Sequence, residues 1–308
     1  MGGRFEELRK AGIDTYFACM VSAGEHYFQS RTLGPPARDL LGPLMEIGEA
    51  TGVDIHPVVG LAGPVGAGER YYEPPLELED VPEWALTWPC PSWGANHERA
   101  VLIAGELIEV YDSPGLQLDY SRYPDADLLT RNPCACARCT SMRLQWLGKP
   151  HPEPEDLLKP GVAFKELQMR TEFVRSYVES MRGLTDTHGI ELSAAVRARY
   201  YGQALPEGQD WAEWCSDGLI DAVCTITRTA TFGEFARLIA QHHRLTEATP
   251  AAWLEGLALR EHGEKLSRNE LERRLHFALK ARADGLCLAK ASDLGPGDLD
   301  MLASVAET

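Results

Sequence analysis

Short apolar runs of strand character alternate with longer stretches of helical periodicity along most of this chain. That alternation confines it to folds in which helices pack against a parallel sheet. Eight runs qualify as strands: GIDTYFACM from Gly12, VDIHPVVGL from Val53, PEWALTW from Pro82, GLQLD from Gly115, GIELSAAV from Gly189, LIDAVCTI from Leu219, AAWLEGLAL from Ala251 and DGLCLAK from Asp284. Gly52 stands immediately before one of them and Gly189 opens another, where a left-handed residue lets a helix end and the chain turn into the next strand. Helices are expected over 37–51, 96–111, 162–188, 210–217, 232–242 and 267–283, with Asn96 and the Ser267/Glu270 pair as caps. Eight strands with intervening helices favour an α/β fold closed as a (β/α)₈ TIM barrel over an open doubly wound sheet. The first strand is not followed by a glycine-rich phosphate loop, which argues against a dinucleotide enzyme.

At 308 residues the chain fits one barrel domain spanning 1–308. The connection after the fourth strand is too long and too proline-rich for a turn, and it reads as a lid-like loop with a Cys-rich insertion at about 121–161. Thirty basic against forty-six acidic residues leave a formal charge of -16, which repels phosphate backbones and anionic membranes. Neither nucleic acid nor membrane is therefore an expected partner, and neutral ligands suit the field best. No run approaches the roughly 20 apolar residues that cross a bilayer, and the start lacks the apolar core of a secretory signal. A soluble, cytoplasmic protein is expected, although a cleaved signal would leave the same sequence. The oligomeric state has no signature here.

Barrel enzymes carry their chemistry at the carboxyl ends of the strands, and Asp119 ends GLQLD there, beside Tyr120 and Arg122. A carboxylate framed by a phenol and a guanidinium suits glycosidic bond cleavage, with Arg122 favouring the charged form of a nucleophile or base. Its structural reading is an ion pair that anchors the loop. A glycosidase needs a second carboxyl group. Asp210, after the fifth strand, is the first choice as the acid, against a role as helix cap. Glu255, near the end of the seventh strand, is the next, against a role as a buried pairing partner. His26, Tyr27 and His56 are candidates to line the pocket, and Trp88, Trp93 and Trp211 to stack on sugar rings. Arg197 and Arg199 are candidates to bind an anionic substituent such as a uronate or sulfate. Each has a plain packing or solvent-facing alternative.

Cys134, Cys136 and Cys139 form C-x-C-x-x-C, a thiolate cluster able to hold structural zinc once Cys90 or His151 supplies a fourth ligand. A disulfide with one spare thiol, or three free thiols, are the other readings. No cofactor is required for cleavage itself.

The order of motifs resembles the glycosyl-hydrolase-like family 10 proteins, a barrel group distinct from the family 10 xylanases. AGEHYFQS (23–30) and VDIHPVVGL (53–61) carry weaker matches. ELIEVY followed by GLQLDYSRYP (106–124), and QDWAEWCSDGLIDAV (209–223), carry specific ones, with polar residues at offsets that core packing alone does not demand. The sequence departs from the family at ITRT (226–229), where a Met and a Tyr are usual, and at Ser22-Ala23, where Arg-Pro is common. The resemblance implies a TIM barrel, a carbohydrate substrate and glycosidase activity centred on Asp119. A lyase or isomerase on the same scaffold, or a sugar-binding barrel without catalysis, are the alternatives, because fold does not fix chemistry.

Overall fold

A computed structural model describes residues 2–22, 25–61, 70–74, 81–131, 133–261 and 264–306. Seven strands form the main sheet: β1 (Thr15–Ala18), β2 (Asp54–Val59), β3 (Gly115–Leu118), β4 (Glu191–Arg197), β5 (Ala222–Thr227), β6 (Ala252–Ala258) and β7 (Gly285–Ala289). All neighbours pair in parallel, and their order in the sheet is their order in the chain. The connecting helices are α1 (Gly2–Lys10), α2 (Leu41–Thr51), α3 (Gly94–Tyr111), α4 (Ala137–Leu147), α5 (Pro160–His188), α6 (Trp211–Ser216), α7 (Phe232–Thr246), α8 (Arg268–Lys280) and α9 (Pro296–Ala306).

Two expectations about closure are corrected. The run from Pro82 is not the third strand: Glu83–Leu86 is a short helical turn, entered from an extended Pro82. The Ala85 and Trp88 amides donate to the carbonyls of Pro82 and Ala85, three residues back, so the run closes on itself in turns and joins no ladder of the main sheet. The sheet thus has seven strands, and among the described residues no ladder joins β1 to β7, so it curls as a TIM-like barrel without closing. Asn96 is not a cap either. Helix α3 starts earlier, at Gly94, and the Asn96 amide instead donates to the carbonyls of Arg70 and Cys90. The left-handed exits at Gly52 and Gly189 are present, with φ of 71° and 65°.

Alternation along the strands separates a face packed on helices from a face turned into the cup. Tyr16 of β1 packs on Phe5 of α1, whereas its neighbour Phe17 meets His56 of β2 edge to face at 5.9 Å between centroids. Gly115 of β3 lies against that same imidazole, and a Cβ there would fall 2.4 Å from the ring. Gln117 and Asp119 follow Gly115 at intervals of two, so they share its face.

Candidate functional site

Asp119 is the first residue beyond β3, and its amide still donates to Val59 O on β2, so the strand holds its backbone firmly. The chain then turns sharply. Tyr120 takes the left-handed conformation at φ 52°, uncommon for a bulky residue, and its N–H donates to Asp119 Oδ1 at 2.7 Å. Asp119 is half-buried. Crowding by protein pushes its carboxyl up to about 6, against the pull of the Tyr120 amide and of Arg122, Arg197 and Arg228. Arg122 lowers the value as expected from sequence, but desolvation outweighs all three cations.

The partners of Arg122 and Arg197 were missed in the sequence. Glu207, almost fully buried, accepts from Arg122 and Arg197 at 3.0 Å each. Asp125, half exposed, pairs with Arg122 at 3.1 Å and Arg197 at 2.5 Å. Glu207 sits in the Pro206-Glu207-Gly208 bend, where its surface-like context gives no hint of burial. The network fixes the loop after β3 to the end of β4. It also occupies Arg197, and Arg199 pairs with Glu234, so neither guanidinium is held out for an anionic substituent.

An aromatic wall closes one side. The buried Trp88 donates through Nε1 to Arg122 O at 3.0 Å, and the Arg122 guanidinium stacks on its ring at 4.6 Å. Trp88 also meets Tyr120 at 5.9 Å and the exposed Trp84 at 5.7 Å, both edge to face. Trp88 is thus a buried member of this aromatic cluster, while Trp84, not anticipated from sequence, is exposed. Trp93 lies apart under Arg70, at 5.5 Å.

The remaining sequence candidates are engaged within the fold, Asp210 and Glu255 in the cap and buried-partner roles weighed against catalysis. Trp211 is no sugar platform. It is fully buried between Tyr200 and His242, and its Nε1 donates to Arg197 O. Glu255 does not face the cup. Strand alternation turns it with Trp253 toward α7, where it is fully buried and bonded to Thr225, Thr227, Trp253 and His242. Asp210 is engaged as the N-cap of α6, accepting from Glu213 N and from the Tyr200 hydroxyl. His26 and Tyr27 bond within their own loop, to Gly34 O and Glu25. His56 is a core residue whose burial pushes its pKa down, favouring the neutral ring.

The cysteines converge. Cys134, Cys136 and Cys139 meet Cys90, from the connection between β2 and α3, with all four sulfurs within 4.8 Å of one another and all four residues buried. Cys90 Sγ lies 3.6, 3.7 and 3.8 Å from the other three. This donor set can hold a metal ion. Of the two sequence candidates for a fourth ligand, Cys90 belongs to the cluster and His151 does not. A cavity of about 250 Å³ opens nearby between α3, α4 and α5, lined by residues including His97, Arg138, Met142 and Phe173. It touches none of the residues around Asp119, so it is not the cup at the strand ends.

No family model matches the sequence, and no curated protein matches it. Solved structures do. The glycoside hydrolase domain of PgaB (BpsB) from Bordetella bronchiseptica superposes with a TM-score of 0.78 at 13% identity, over 99% of this chain and 92% of that one. The spore cortex-lytic enzyme SleL of Bacillus megaterium gives 0.56 at 6%, over 98% and 69%. The Bacillus cereus SleL gives 0.53 at 8%, over 98% and 70%. At such identities the likeness establishes a glycosyl-hydrolase-like fold and does not reach a particular family. No described helix is long and apolar enough to cross a membrane.

Proposed function

We propose that this chain is a glycoside hydrolase of the glycosyl-hydrolase-like family 10 type, with Asp119 as its principal catalytic carboxyl. The observation that carries the reading is a half-buried carboxyl at the end of β3 whose pKa of about 6 suits proton transfer near neutral pH. Its fold is that of a glycoside hydrolase domain. Arg122 had suggested a nucleophile or base. A raised pKa instead favours Asp119 as general acid, protonating the leaving oxygen and then serving as base toward water.

Asp210 and Glu255 are committed elsewhere, to a helix cap and a buried network. We assign the second carboxyl to Asp125, half exposed and ion-paired with Arg122 and Arg197, two of the cations whose charge acts on Asp119. Trp84 and Tyr120 would supply aromatic surface for sugar rings. The four-cysteine cluster, a structural zinc centre on this reading, offers no open coordination position and leaves bond cleavage to the carboxylates.

A glycan panel with product analysis tests the proposal. New reducing ends are expected from the native chain, with turnover lower by at least about 10³-fold in Asp119→Asn. Because the proton donor must be charged with its proton, activity should fall as pH rises through about 6. An unsaturated product would indicate a lyase. Ligand binding without any product would indicate a sugar-binding barrel, a reading favoured by the engagement of both Asp210 and Glu255. Undiminished turnover in Asp119→Asn removes that residue from the chemistry.

A further inference from the structure

We propose that Cys90, Cys134, Cys136 and Cys139 form a tetrathiolate zinc centre that staples the two loops forming the wall beside Asp119. The metal site stands on the sulfur geometry alone. Only the description of the wall as catalytic rests on the glycosidase reading.

Four zinc–sulfur bonds of about 2.3 Å in a tetrahedron place the sulfurs about 3.8 Å apart. The three separations from Cys90 Sγ, 3.6 to 3.8 Å, match that edge. They are far from the roughly 2.05 Å of a disulfide, and no pair in the cluster is bonded. Four soft donors with no vacancy suit zinc in a closed site, a colourless centre distinguished by metal analysis from the coloured iron that the same thiolates also accept, and exclude calcium and magnesium, which take oxygen.

The surroundings suit the charged centre. Loading releases the four thiol protons, and Zn²⁺ with four thiolates carries a net charge of 2 − 4 = −2. The Ser92 hydroxyl lies 3.2 and 3.4 Å from Cys90 and Cys136, and the Tyr123 hydroxyl 3.4 Å from Cys139, in position to donate to sulfur. Outer donors of this kind orient and stabilise metal-bound ligands. Arg143, buried, donates to the Cys134 carbonyl and pairs with Glu166, which also binds Arg170. Two guanidinium groups and one carboxylate leave 2 − 1 = +1 beside the cluster, which offsets part of the buried negative charge.

The centre is wired to the site along two short routes. Cys90 lies two residues from Trp88, on which Arg122 stacks. Tyr123, which touches Cys139, is the residue next to Arg122. The metal would thus join segments separated by 49 positions, from Cys90 to Cys139, and hold Arg122 at the edge of the cup. Among the described residues, the segment between 119 and 159 holds no strand, and its helices are Ala126–Arg131, α4 and Pro154–Leu157. A metal clip on such a loop gains from the closure entropy it removes.

Elemental analysis of protein purified without chelator should give about one zinc per chain. Cobalt(II) substitution should produce the intense sulfur-to-metal charge-transfer absorption of a tetrathiolate. Cys90→Ser and Cys136→Ser should lose most of the metal, whereas Cys19→Ser, at an exposed thiol outside the cluster, should retain it. Amide deuterium exchange in the demetallated chain should rise in 84–90 and 119–126 while β5 and β6 stay protected. If the cysteine variants fail to fold, the metal content and cobalt spectrum of the native chain decide the matter. Protein that carries no zinc and takes up neither zinc nor cobalt overturns the site. Metal loss that leaves exchange in both segments unchanged overturns the staple. Turnover on glycans is a separate readout: a loaded protein that cleaves nothing counts against the proposed function and not against the centre.

Discussion

At the scale of single residues, the proposed role of Asp119 sets stability against chemistry. Its pKa in the fold, about 6, lies above the ordinary 3.8, so the native state favours the protonated form. The neutral carboxyl is accommodated without penalty below about pH 4, and stability is lost as pH rises from there to about 6. Asp119→Asn removes the ionised form while keeping an oxygen for the Tyr120 amide. The variant should therefore be more stable than the native chain by about 1–2 kcal/mol at pH 7.5, after discounting for partial solvent access, with the gain vanishing near pH 4. Urea unfolding at the two pH values checks this, and equal stability at both would show that burial costs the carboxylate nothing. The residue itself was legible in sequence because it ends an apolar run next to polar groups. Its raised pKa was not, since that comes first from burial, which packing by distant segments decides, and the cations Arg197 and Arg228 that oppose it arrive from other strand ends.

At the scale of elements, α6 separates two readings of Asp210. This helix has only six residues, Trp211–Ser216, and its first turn depends on the Asp210 side chain. Asp210→Ala should cost about 1 kcal/mol of stability through the lost cap. Its effect on turnover should stay within about threefold, as befits a residue outside the bond-breaking step. A drop of several orders of magnitude with the fold intact would reinstate Asp210 as the acid. The strands show why some elements could be read and others not. All seven strands fall on apolar runs that identify them, and the glycine exits at Gly52 and Gly189 mark where the helices before β2 and β4 stop. The run at Pro82 has the right composition, but its amides close local turns, and composition alone does not show that. For Glu255, the sequence identified the strand but not its phase: one step along β6 exchanges the cup for the helix layer, and the partners Thr225 and His242 that settle the direction lie on other elements.

At the scale of the whole molecule, charge acts together with the local pairing of the site. The chain carries -16 overall, and the cations at the strand ends are largely matched, Arg122 and Arg197 by Glu207 and Asp125, and Arg199 by Glu234. Neutral oligosaccharides should therefore bind with affinities nearly unchanged between about 50 and 300 mM salt. Polyuronates should bind more weakly and gain affinity as salt screens the repulsion. Titration calorimetry across that range checks it, and a preference for the uronate at low salt would mean that the arginines release their partners to bind ligand. The order of strands and helices was legible across the chain because periodicity is a local property. Closure was not, because it is decided by whether the first and last strands meet.

Tyr120 has a further consequence. A left-handed residue with a side chain carries a backbone strain of about 1–2 kcal/mol, which glycine would avoid. The phenol ring must work against that deficit through its contacts with Trp88 and Arg122. The bend that aims the carboxyl and the ring that flanks it thus occupy one position, so backbone ease and ring contact cannot be optimised independently at the rim.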